Sequence, residues 1–159
     1  RSKNDLTFDL YLTGIDPAYR EELRESVKDV ENIEVHDGIP YTELLETINN
    51  YDVGLHILPP VNFNNALALP NKLFDFVQAR LGQISGPTPA MSQIINEHNL
   101  GAVTDGFEVE DLVPILDALT VEQVREWKDS AHEAAPELSS EPEVKKWKNV
   151  VESIPQDAS

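Results

Sequence analysis

The stretch LPPVNFNNALALPNKLFDFVQARL, Leu58 to Leu81, decides how the rest of the chain is read. Up to Leu69 it is rich in asparagine and shows neither helical nor strand periodicity. It then passes through Leu69-Pro70-Asn71 into a strongly apolar segment, Lys72 to Arg80, that reads as a buried helix. A loop of about a dozen residues is long for a compact domain, and such loops are functional or disordered. This one runs straight into a buried helix, which favours function. A helix N-terminus offers unpaired N–H groups and about half a positive charge. Lys72 adds a full charge there, and Asp75, three residues on, sets a carboxylate near the same end. The combination suits a nucleotide diphosphate, with amides and Lys72 facing phosphates and Asp75 facing the ribose diol.

Upstream, Asp52 to Leu58 is an apolar run bounded by polar residues and proline, the pattern of a buried parallel strand. Before it, Leu6 to Thr13 reads as a strand ending at Gly14, and Ile33 to His36 as a second one ending at Asp37-Gly38. Asp16-Pro17 is an N-cap followed by proline at the first helical position, opening a helix to about Val30. Pro40, Tyr41 and Thr42 open another, with Leu44, Leu45 and Ile48 at helical spacing. Downstream, Gln83 to Ser85 and Gly101 to Thr104 read as short strands separated by a helix that starts at Thr88-Pro89 and runs to about His98. Helices follow over Asp111 to Leu119, from a Thr120/Gln123 capping box, and from Ser140/Glu143 to about Ser153.

Five alternations of strand and helix predict an α/β fold: a Rossmann-like doubly wound parallel sheet, helices on both faces, and extra helices at the C-terminal end. Ligands on such sheets bind beyond the carboxyl ends of the strands. The turns at Gly14, Gly38-Ile39, Leu58 onward and Gly86 therefore share one rim, and the central loop sits on it.

Composition narrows the partners. The 159 residues suffice for one domain with a proper core. The net charge of −17 opposes non-specific binding to nucleic acid or anionic lipid, so any phosphate site must be locally positive. Lys72 and Arg80 are the nearest basic candidates. Without cysteine there is neither a disulfide nor a thiolate metal site. No signal peptide is visible, and no apolar run approaches the roughly 18 residues of a membrane span.

Pro70-Asn-Lys-Leu-Phe-Asp-Phe76 resembles the P-x-K-L-F-E-Y segment in the C-terminal, donor-binding domain of GT-B-type bacterial glycosyltransferases, and looks most like those building capsular or other surface polysaccharides. Asn32 to Leu44, Tyr51 to Leu55 and Glu97 to Gly101 resemble further segments of that family in the same order, so the likeness spans residues 6 to 120. The resemblance implies a nucleotide-sugar-binding domain over residues 1–159, with the helices of 119–154 leaning back on an N-terminal acceptor domain. Asp75 takes the place of the glutamate that holds the ribose hydroxyls. The backbone of Leu69 to Lys72, with Asn71 and Lys72 at the helix start, approaches the diphosphate, and Ile39 lies against the base. The implied reaction moves a sugar from a nucleotide diphosphate to a saccharide or lipid-linked acceptor in polysaccharide or glycolipid synthesis. No cofactor or metal is implied, no catalytic residue can be assigned, and the location is cytoplasmic, with the inner membrane face within reach of the absent domain.

The chain departs from that family at three places. Leu67 stands where a second acidic residue is common, Ala79-Arg80-Leu81-Gly82 replaces Ala-Gly-x-Pro, and the strand expected before Leu6 has no counterpart. The last point predicts a fragment whose sheet lacks a central strand.

Other candidates read more plainly. Asn62, Asn64 and Asn65 are turn formers. His36, His56, His98 and His132 share no metal spacing, and His56 reads as a satisfied core residue. Glu108 to Asp111 reads as an acidic first turn, and Trp127 and Trp147 as packing between C-terminal helices. Two rival functions remain: a non-catalytic interaction module of receiver-like shape, with Asp37 or Asp105 as its acceptor aspartate, and half of a sugar-nucleotide epimerase.

Overall fold

The computed structural model describes residues 5–60 and 69–139. In chain order these form β1 (Phe8–Leu12), α1 (Pro17–Val27), β2 (Ile33–Asp37), α2 (Tyr41–Ile48), β3 (Val53–His56), α3 (Asn71–Gln78), β4 (Gly82–Ser85), α4 (Pro89–Glu97), β5 (Gly101–Val103), α5 (Val109–Ala118) and α6 (Val121–Ala134). Every strand pairing is parallel and helices flank both faces, so the α/β doubly wound class is observed. No helix among the described residues is long and apolar enough to cross a membrane. The expectations on Asn62, Asn64, Asn65, Leu67, Trp147 and the last helix fall outside the described residues.

Among the described residues the strands do not form one continuous sheet. β1 pairs with β2, while β3, β4 and β5 form a separate ladder with β4 in the middle. The interruption falls in the middle of the strand series, where the resemblance calls for a further strand. Side chains bridge it instead: the Tyr11 and Tyr51 hydroxyls lie 2.7 Å apart with their rings edge to face. Burial, with the Tyr11 hydroxyl beside it, pushes the Tyr51 phenol far above its ordinary range.

Local chemistry sets the element ends. The Asp16 side chain accepts from Ala18 N at 2.7 Å with Pro17 next to it, and Thr120 Oγ1 accepts from Gln123 N at 3.1 Å. The Asp111 carboxylate accepts from Glu108 N at 3.0 Å, so the acidic turn there is a helix cap. Helix α3 ends at Gln78 because Arg80 adopts a left-handed φ of 62°. This is the place where the resembled family carries glycine. Arg80 offsets the strain by donating back to the carbonyls of Val77 (3.1 Å) and Gln78 (2.7 Å).

Packing is unequal. Leu73, Met91 and Ile95 form one sealed cluster between α3 and α4, Val77 and Leu100 pack with Ala131 and Ala134 of α6, Ile84 is sealed on β4, and each such large apolar side chain stabilises by about 1.5–3 kcal/mol. Trp127 of α6 is buried over β4, where a Cβ on Gly82 would come within 2.9 Å of its ring. Helix α1 buries no residue fully. The firm scaffold is the three-stranded half.

Candidate functional site

Helix α3 emerges onto the rim from Pro70, an N-cap residue whose side chain offers no acceptor, and among the described residues no side-chain cap of its first amides is found. Asn71 and Lys72 are exposed there, as is Leu69. Leu73 and Val77, one turn apart, anchor the opposite face in the core, and this fixes the direction in which the N-terminus points. An uncapped start beside a lysine is a locally positive spot on an otherwise strongly acidic chain.

Asp75 is half-buried one turn further on, and its Oδ1 accepts from the Tyr41 hydroxyl at 3.0 Å. Tyr41 opens α2 two residues after Ile39 and is 73% exposed. The turn after β2 is thereby drawn alongside α3, and the nearby Asp75 carboxylate raises the phenol's pKa through its hydrogen bond and its charge. One accepted bond leaves a carboxylate capacity for others, including a cis-diol. Tyr41 was not singled out from the sequence as a site residue. Its one sequence signal is its place in the segment Asn32 to Leu44, 34 positions from Asp75.

Next to this helix start lies a cavity of about 170 Å³, walled by Pro59, Pro60, Pro70, Met91 and Thr88, with the His56 ring as its polar group. His56 is therefore not a core residue. As the last residue of β3 it reaches the rim and is only half-buried. Burial, with the Lys72 charge nearby, lowers its pKa and favours the neutral ring. A larger hollow of about 530 Å³ lies between α1 and the β1–β2 pair, lined by Phe8, Arg24 and Ile33. Phe8 and Ile33 start their strands, so this hollow sits at the end opposite to the one where ligands of parallel sheets bind.

Two polar clusters border the larger hollow through Asp9, Glu34 and Arg24. Asp9, Glu34 and His36 bring ligand atoms within 4.8 Å of one another. Register explains this proximity: Asp9 is opposite Glu34, and Tyr11 opposite His36, whose ring Tyr11 stacks upon at 4.5 Å. His36 Nε2 already meets Asp9 at 2.6 Å, and its Nδ1 lies 3.6 Å from Glu34. Both ring nitrogens thus face carboxylates, and the cluster works as a hydrogen-bonded brace between strands. The second cluster is at Asp37, which Arg20 (2.7 Å) and Arg24 (2.9 Å) clasp. The Arg24 guanidinium, helped by Arg20, holds its carboxyl below the usual range. A receiver-like phosphorylation pocket needs further acids and a lysine around its aspartate, so Asp37 does not fit that role.

Neither a protein-family model nor a curated protein matches the sequence. Solved structures do match. WaaG, a glycosyltransferase involved in lipopolysaccharide biosynthesis, is 21% identical with a TM-score of 0.62 over 88% of this chain and 36% of its own. The pneumococcal O-GlcNAc transferase GtfA, solved with UDP and GlcNAc, is 19% identical with a TM-score of 0.68 over 96% of this chain and 30% of its own. The chain thus spans about a third of these proteins or less, at identities where likeness is one of fold. Its described residues share the Rossmann-like α/β fold of part of these two glycosyltransferases.

Proposed function

We propose that this chain is the nucleotide-sugar donor-binding domain of a glycosyltransferase acting in polysaccharide or glycolipid biosynthesis, surface polysaccharide included. The observation that carries the reading is the convergence of three features on one rim. These are the uncapped α3 start with Lys72, the Asp75 carboxylate one turn on, and the Ile39–Tyr41 turn held against it. In this reading the backbone of Leu69 to Asn71 and the Lys72 ammonium take the diphosphate, Asp75 takes the ribose diol, and Ile39 lies against the base. Charge-assisted hydrogen bonds of this kind are about twice as strong as neutral ones.

Helix amides and basic side chains would stabilise the departing diphosphate, a role that calls for no metal. An N-terminal acceptor domain would supply the acceptor site for a saccharide or lipid-linked substrate, at the cytoplasmic side of the membrane. That GtfA was solved with UDP supports a nucleotide-sugar donor here. Titration of UDP and GDP against the isotope-labelled chain tests the proposal. Amide shifts are expected to cluster at Ile39, Tyr41, Asn71, Lys72 and Asp75; shifts scattered elsewhere, or none, would refute it.

A further inference from the structure

Strand alternation places Asp9 and Tyr11 of β1 on one face of their strand pair, together with Glu34 and His36 of β2. Strands of doubly wound sheets are ordinarily apolar on both faces, so a histidine and two carboxylates here are out of pattern. Each of Asp9, Glu34 and His36 brings one ligand atom within 4.8 Å of the others. The Asp9 and His36 side chains are largely shielded, at 19% and 26% exposure, whereas Glu34, at 72%, opens the cluster to solvent. Tyr11 fixes the His36 ring by stacking on it 15° from parallel, and the Tyr51 hydroxyl holds that of Tyr11. Neighbours that orient an imidazole in this way are the usual support of a metal ligand.

The donor set selects the ion. Bonds from zinc to nitrogen and oxygen of about 2.0–2.2 Å set neighbouring ligand atoms roughly 3–3.5 Å apart. His36 Nε2 and Asp9 Oδ1, now 2.6 Å apart, would open slightly as a cation replaces the hydrogen they share. Glu34 would swing inward, and its exposure leaves it free to do so. A neutral imidazole binds through one nitrogen and keeps its hydrogen on the other. Calcium and magnesium favour oxygen ligands alone, whereas imidazole suits zinc and its transition-metal neighbours. Two carboxylates on a chain of net charge −17 favour a cation over any anion. The site is hidden in the sequence because Asp9 and His36 stand 27 positions apart and meet only through strand register.

We propose that Asp9, Glu34 and His36 form a site for one divalent transition-metal ion, zinc or a close neighbour, which ties β1 to β2. The site lies within the strand pair, short of the rim, and stands independently of the donor-binding reading. Calorimetric titration of the chain with Zn²⁺, alongside NMR of its histidine rings and amides, tests it. One ion is expected to bind with a dissociation constant of about 100 μM or tighter, and to stay bound in excess Mg²⁺. The His36 ring and the amides of Asp9 and Glu34 should shift, and deuterium uptake at Leu10 and Val35 should slow. Changes to outer-shell partners alone cost about 10–100-fold in metal affinity, so Glu34→Gln, which removes a ligand, should cost at least as much. Glu34 is exposed, so that variant keeps the fold; His36→Gln should abolish the site and His98→Gln should leave it intact. Weaker binding to the parent chain, equal affinity for the parent and Glu34→Gln, or shifts confined to other histidines would mean an adventitious ion only and overturn the proposal.

Discussion

The Tyr41 hydroxyl lies 3.0 Å from Oδ1 of Asp75, tying the first residue of α2 to the second turn of α3. A ribose diol approaching Asp75 offers the same kind of donor in the same place. Asp75→Ala is therefore expected to weaken nucleoside diphosphate binding about tenfold or more, the loss of a hydrogen bond to a charged group. Tyr41→Phe should change it by less than about threefold, because the ligand's hydroxyl replaces the phenol. Calorimetry on both variants separates the two effects, and a larger loss for Tyr41→Phe would assign Tyr41, not Asp75, as the contact.

Acid should destabilise the chain through His56. Burial and then Lys72 lower its folded pKa, while in the unfolded chain it titrates near the ordinary value of about 6.5. Between those two values the unfolded state binds more protons, so stability rises with pH across that window. The contribution is complete above the unfolded value and is lost as pH falls toward the folded one. Urea melts from pH 7.5 down to 5 should show this slope, and His56→Gln should flatten it.

Two glycines should respond to alanine in opposite measure. A Cβ on Gly101 would sit 1.7 Å from the Gln83 carbonyl oxygen, a clash between backbones that only strand separation relieves. Gly101→Ala is expected to cost about 3 kcal/mol or more in denaturant melts. Gly14 has a φ of +73° with open space around it, so Gly14→Ala meets only the left-handed penalty of about 1 kcal/mol.

At Arg80 strain and bonding oppose each other. Arg80→Gly relieves the left-handed backbone but gives up the bonds to Val77, Gln78 and, at 3.1 Å, His132 Nδ1. Arg80→Ala gives up the same bonds and keeps the strain. Alanine is expected to be the less stable variant by about 1–2 kcal/mol, measured by urea denaturation of the pair.

The order of strands and helices was legible because its signals are local. Asp16-Pro17 caps α1, Leu73 and Val77 face inward at helical spacing, and Gly101 follows a helix end. The α3 start could be read for the same reason, with Lys72 and Asp75 on one short helix. Pairing between distant segments left no such trace. The gap between β1 and β3 was expected only from the resemblance and not from the composition of either strand, and nothing local announces that Tyr41 meets Asp75. His56 was misread as core because an apolar run does not say which residue comes last in its strand.

The separation of the strands into a pair and a triplet bears on how the molecule opens. Most of the sealed side chains belong to the triplet's half, whereas α1 contributes none to a sealed core. Cooperative units with few buried apolar contacts exchange their amide protons first. The amides of Leu10 and Val35 should thus take up deuterium well before that of Ile84. A ligand held at once by Ile39, beyond β2, and by Asp75 on α3 would clamp the two units together, so saturation should slow exchange most in the pair that makes the fewest of the contacts.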